Sequence, residues 1–248
     1  MRVELDAIDD KRERRRFCTG CVRAVAVMQI TTAIRASRRS GWSVRAAVLA
    51  AATAALALAV YGLARYPGLR VGGQPWFAGT LLIVVLLMYS AGALTLSQGV
   101  TRQAMIARRH GVLGGVLIAA AWLVVLEPIG PLKTWVAVPL VIALFVPAAL
   151  AASTAHATRD ARAATATAIW SGLVGGLLAF ITWVTATYLR DGRPYDPQLL
   201  RDFHHSHAHN LAAYAVSDNL GTALSLLVLI PLITLALGSL GGRVTAND

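Results

Sequence analysis

Six stretches of the chain run almost without charge: Val44–Ala64, Trp76–Leu96, Gly111–Leu126, Leu132–Ala152, Ala168–Leu189 and Leu220–Leu240. A helix rises about 1.5 Å per residue, so roughly 20 apolar residues cross a hydrocarbon core about 30 Å thick. The pattern predicts an all-α integral membrane protein, a six-helix bundle with a cytoplasmic N-terminal helix and an external interfacial helix. Residues 1–43 read as a basic arm and residues 44–248 as the six-span domain, with an external loop over 190–219.

The polar positions between the spans sharpen this picture. Tyr66–Pro75, Ser97–His110, Glu127–Pro131 and Ser153–Thr167 read as short loops, which pack sequence neighbours antiparallel. Gly111 with Gly115, and Gly172 with Gly176, are spaced for close helix contact within the bundle rather than as a designated dimer face. Pro139, Pro147 and Pro231 fall inside spans and are expected to kink them. In the arm, Met1–Arg16 is charged, whereas Phe17–Ser37 places Val22, Val25, Ile30 and Ile34 among arginines. That mixture suits a helix lying in the membrane plane.

Composition supports the class: 56% of the residues are hydrophobic and 14% charged, too little polar surface for a soluble domain of 248 residues. The net charge of +11 invites a nucleic-acid reading, but its distribution opposes it. Seventeen Lys and Arg fall on one side of the spans: ten before Trp42, then Arg45, Arg102, Arg108, Arg109, Arg159, Arg162 and Arg243. Six fall on the other: Arg65, Arg70, Lys133, Arg190, Arg193 and Arg201. This is the positive-inside asymmetry, and it sets both termini in the cytoplasm of an inner (plasma) membrane. The basic residues are then expected to meet anionic lipid headgroups, with no nucleic-acid partner. A long charged arm precedes the first apolar stretch, so a removable signal peptide is not expected.

Candidate chemistry is sparse. The spans hold no Lys, Arg, His or Asp at their centres, which lowers the case for an ion-coupled pump. Glu127 sits at a span boundary. Four of the six histidines fall in the loop Arg190–Asn219. Leu199, Leu200, Phe203, Leu211 and Tyr214 recur there at helical spacing behind Pro197. On one continuous helix, Asp202, His205 and His209 share the water-facing side and are spaced to hold zinc or copper. The bland alternative is an interfacial helix with solvated histidines; a third is a loop that charges as the medium acidifies. Cys18 and Cys21 have CxxC spacing without a second ligand pair and read as small apolar residues. Ser217 or Asp218 is placed to cap the last span. Glu127, Asp202 and Asp218 are the acids available to an enzyme. No Gly-rich phosphate loop, GxSxG or HExxH motif occurs.

Glu4-Leu5-Asp6-Ala7-Ile8-Asp9-Asp10, followed by Arg14-Arg15-Arg16-Phe17 and Gly20-Cys21-Val22-Arg23-Ala24, resembles the opening of uncharacterised polytopic membrane proteins of high-GC actinobacteria. The chain starts almost directly on that motif, so a longer native N-terminus is conceivable. The resemblance implies an accessory or regulatory role and carries no catalytic residues. The expectation is a non-enzymatic exporter component, membrane sensor or regulatory partner, with a protein partner on the arm. The alternatives are a small membrane enzyme for a lipid or isoprenoid substrate, told apart by whether the acids converge, and a transporter of an uncharged solute.

Overall fold

In hydrocarbon a backbone N–H or C=O finds no water, so apolar stretches of this length close their hydrogen bonds within helices. The computed structural model of the protein describes residues 41–66, 74–97, 101–126, 137–189, 197–206 and 210–246. Among the described residues are seven helices and no strand: α1 (Gly41–Arg65), α2 (Gln74–Leu96), α3 (Arg102–Leu126), α4 (Ala137–Thr158), α5 (Ala161–Leu189), α6 (Pro197–His205) and α7 (Leu211–Ala246). The helices α1, α2, α3, α5 and α7 are long and apolar enough to cross a membrane. The chain is a multi-pass helical membrane protein.

Helix α5 is the axis of the bundle. Eighteen of its 29 residues are buried, including Trp170, Phe180 and Val184, and α3, α4 and α7 pack around it. The outer helices present Leu56, Val60, Phe77, Leu87, Met88 and Phe145 outward, a surface suited to lipid rather than water. Hydroxyls on these helices stay satisfied without a partner helix. Thr53, Ser90, Thr95 and Ser225 each donate to the carbonyl four residues earlier.

Small residues set the helix separations. A methyl group at Gly111 would fall 2.8 Å from Thr167 O, and one at Gly115 would fall 2.8 Å from Gly175 N, so α3 lies almost backbone to backbone on α5. Gly172 and Gly176 face α7 and Tyr89 instead. Both glycine pairs are consumed inside the bundle.

Side-chain contacts fix the alternation of the helices. His110 at the start of α3, Thr154 at the end of α4 and Thr167 at the start of α5 meet at one end. Trp122, Trp183 and Asn219 meet at the other, from the end of α3, the end of α5 and the start of α7. Arg45, Arg102, Arg108 and Arg109 belong to the first end, called here the Arg-rich end, and α6 belongs to the opposite one.

Several expected boundaries shift. The predicted loops over Ser97–His110 and Ser153–Thr167 are largely helix. α3 starts at Arg102 behind Thr101, whose hydroxyl accepts from Ala104 N at 3.2 Å. Only Arg159 and Asp160 separate α4 from α5. Arg159 turns the chain with a left-handed φ of 50°, and Asp160 caps α5 by accepting from Arg162 N at 2.8 Å. Hydropathy marks the hydrocarbon slab, whereas helices continue through the headgroup zone. Pro139 sits in the first turn of α4, where its missing N–H interrupts no helical bond.

The expected single helix over 197–214 is two. α6 stops at His205, and Asn210 starts α7 with its side chain accepting from Ala213 N at 3.1 Å. Ser217 and Asp218 therefore lie within α7 and cap nothing. The arm, with its expected helix Phe17–Ser37 and Cys18 and Cys21, lies outside the described residues, as do Glu127, His207 and His209.

Candidate functional site

Polar side chains gather at three levels of the bundle, and α5 or α7 contributes to each. At the Arg-rich end, Thr154 is completely buried and sits at the centre of a hydroxyl cluster. Its hydroxyl donates to Leu150 O at 2.8 Å. It receives the Thr167 hydroxyl at 3.0 Å and lies 2.8 Å from His110 Nδ1. A hydroxyl carries one proton. The Thr167 hydroxyl, also with one proton, has Ala163 O as a second acceptor at 3.0 Å. Ser171 extends the cluster by one turn, donating to Thr167 O at 3.0 Å. The early start of α3 takes His110 out of the expected loop Ser97–His110 and brings it against α4.

At mid-depth, Pro231 breaks the hydrogen-bond ladder of α7. Its ring nitrogen has no N–H for the carbonyl four residues earlier, that of Leu227. The Tyr89 hydroxyl of α2 donates to this carbonyl at 2.5 Å. Gly172 and Gly176 of α5 make room for Pro231 and for the Tyr89 hydroxyl. Thr234, on the same helix, donates to Pro231 O at 3.0 Å. Beside this lock, Ile118, Ala179, Leu226 and Ile230 form an apolar core cluster.

At the end bearing α6, aromatic rings form a belt of the kind that sits at a membrane–water interface. Trp183 Nε1 donates to Asn219 Oδ1 at 3.1 Å, and Asn219 Nδ2 donates to Ala215 O at 2.8 Å. Trp122 meets Trp183 edge-on at 6.2 Å. Tyr188 donates to Leu58 O at 3.0 Å and has Tyr61 and Tyr66 as ring neighbours. Phe203 docks α6 on α7 through an edge contact with Tyr214 at 5.7 Å.

The expected site residues lie at this same end. Asp202 and His205 are exposed on α6, and Asp218 is exposed on α7. Asp202 and Asp218 lie within electrostatic reach of each other. His205 Nδ1 lies 2.7 Å from Arg201 O, which fixes it as the N–H nitrogen and leaves Nε2 to face outward. His209, the third member of the expected set, lies outside the described residues. Among the described residues no three His, Cys, Asp or Glu side chains converge as metal ligands.

Sequence reasoning passed over Asn219, Tyr89 and Thr154. A Tyr and a Pro within apolar stretches were the signals available, whereas Asn219 follows Ser217 and Asp218 at a span edge and is unremarkable there. No family model, curated protein or solved structure matches the chain.

Proposed function

We propose that the protein is a non-enzymatic membrane sensor or regulatory partner, of the kind that accompanies an exporter, in the inner (plasma) membrane. Six helices cross, α4 included, with both termini cytoplasmic and α6 external. An event at α6 is carried inward by α7.

The observation that supports this reading is α7 itself. Its 36 residues span about 54 Å, well beyond a hydrocarbon core of about 30 Å. One end carries α6 through Phe203 and Tyr214. The other end reaches the level of Ala148 and Ala151 on α4. Pro231 gives the helix a bend point between them, held by Tyr89. A single element therefore connects an exposed patch of Asp202, His204 and His205 to the Arg-rich end, where the basic arm awaits a partner. Acidification or zinc or copper at the external imidazoles is the class of stimulus that this patch suits.

The test places a fluorophore on Ser239→Cys, with Cys18 and Cys21 replaced by Ser, in liposomes. External acidification or zinc is expected to change its emission, and Phe203→Ala is expected to abolish the change by undocking α6. An emission that ignores both stimuli overturns the reading.

One observation favours a second reading, a small enzyme for a lipid or isoprenoid substrate: the charges of Asp202 and Asp218 act on one another at the end that carries the belt. Lipid turnover by purified protein that disappears in Asp202→Asn and in Asp218→Asn would establish it.

A further inference from the structure

The Arg-rich end is built from the ends of helices, and two of its basic residues stand where a helix least favours them. Arg102 opens α3, and Arg162 is the second residue of α5. The N–H groups at a helix start carry a partial positive charge, so an acid is stabilising there and a base is not. Gln103 Nε2 donates to Thr158 O at 3.4 Å, which sets the start of α3 beside the turn at Arg159. Arg109 follows Arg102 by two turns on nearly the same stripe of α3. Arg102, Arg109, Arg159 and Arg162 are all exposed. Asp160 is the one acid of this end among the described residues, and its carboxylate is turned to Arg162 N as the cap of α5.

A surface of this charge suits carboxylates, and the chain carries its own. Four of its twelve acids, Glu4, Asp6, Asp9 and Asp10, fall within one run that contains no Lys or Arg. The run lies outside the described residues, in the arm that enters α1 at Gly41. Tyr188, at the end of α5 away from the arginines, donates to Leu58 O in the second half of α1. The start of α1 is therefore at the Arg-rich end, and the arm is tethered there. We propose that the acidic run Glu4–Asp10 docks on Arg102, Arg109, Arg159 and Arg162, so that the arm closes over the Arg-rich end of its own bundle.

Roughly 30 residues separate the run from α1, and a flexible chain of that length reaches about 30 Å. Such a tether holds the carboxylates near the arginines at an effective concentration on the order of millimolar. One exposed ion pair contributes little, but several made together by a tethered run favour the closed arm. Lys11 and the arginines that follow it are left to the lipid headgroups around the end. The docked run covers the surface that a partner at this end would meet, so such a partner has to displace it. The contact needs no stimulus at α6, and its failure would leave the sensing reading untouched.

Disulfide trapping in the full chain tests the contact, with Cys18 and Cys21 replaced by Ser. The protein is placed in vesicles of phosphatidylcholine, alone or equimolar with phosphatidylglycerol. Ala7→Cys lies within the run, and Ala157→Cys is exposed in the last turn of α4, just before Arg159. A membrane-permeant oxidant is expected to join these two within one chain in both vesicles, and to leave Ala7→Cys with Ser206→Cys unjoined. Replacing Glu4 by Gln and Asp6, Asp9 and Asp10 by Asn is expected to slow the joining roughly fivefold, as the loss of several exposed ion pairs would. Arg102→Gln with Arg159→Gln is expected to slow it too. Arg102→Glu with Arg159→Glu is expected to slow it further, and adding Asp6→Lys and Asp9→Lys to restore it, which a damaged fold would not allow. A rate indifferent to the acids overturns the proposal, since the tether alone then accounts for the joining. A rate that depends on the acids but not on Arg102 and Arg159 also overturns it, and pairs the carboxylates with the bases of the arm itself. Charge dependence that vanishes once phosphatidylglycerol is present overturns it in favour of a surface covered by lipid headgroups.

Discussion

A single hydroxyl at Tyr89 closes the gap that Pro231 opens in α7. In hydrocarbon the Leu227 carbonyl has no water to turn to, so removing its donor leaves it unsatisfied. Tyr89→Phe keeps the ring and is expected to destabilise the bundle by about 1 kcal/mol, in line with single hydrogen bonds in membrane proteins. Unfolding in sodium dodecyl sulfate titrations measures it. In Tyr89→Phe with Pro231→Ala, the restored N–H serves Leu227 O, and the loss should be recovered; additive losses would mean that the hydroxyl does something else. Thr154 offers a parallel case, because one buried oxygen receives both Thr167 and His110. Thr154→Val keeps the volume and removes the partner of His110, while Thr167 keeps Ala163 O at 3.0 Å, and is expected to cost about 1–3 kcal/mol. Thr154→Ser keeps the oxygen and is expected to lose clearly less.

At the scale of elements, α5 is held by contacts that admit no extra atom. Gly115→Ala places a methyl group against backbone on α5 and is expected to destabilise by about 1–3 kcal/mol, the usual range for overpacking. Gly221→Ala on α7 meets nothing within 4 Å and is expected to be neutral or slightly stabilising, since alanine favours the helix. Comparable effects at both positions in the same unfolding titration would contradict the packing described. Here the chain's legibility divides by physics. Apolar runs such as Trp76–Leu96 were readable because bilayer thickness imposes their length. The glycine pairs were readable as packing because small residues have few other uses in a span. Helix ends were not, since Arg102–His110 is polar yet helical, and hydropathy does not register a helix leaving the hydrocarbon. The break between α6 and α7 escaped as well. It depends on a cap at Asn210 rather than on periodicity, which runs unbroken through Tyr214. The metal set Asp202, His205 and His209 assumed that continuity, while the Thr154 cluster joins residues from three helices and leaves no mark in any one segment.

For the whole molecule, the contacts that alternate the helices and the Lys and Arg distribution point to the same arrangement. His110, Thr154 and Thr167 put the start of α3, the end of α4 and the start of α5 at one level. In the proposed topology that level is cytoplasmic, and Ser206 lies on the other side of the membrane, one passage of α5 away. Cysteine labelling reads both positions directly in a background with Cys18 and Cys21 replaced by Ser. Ser206→Cys, exposed at the end of α6, is expected to react with an impermeant maleimide in intact cells. Ala157→Cys, exposed in the last turn of α4, is expected to react only after the membrane is opened. The reverse pattern would invert the molecule while leaving its helix contacts intact. Labelling of both from one side would take α5 out of its crossing, although α5 is the most enclosed helix of the bundle and carries its core.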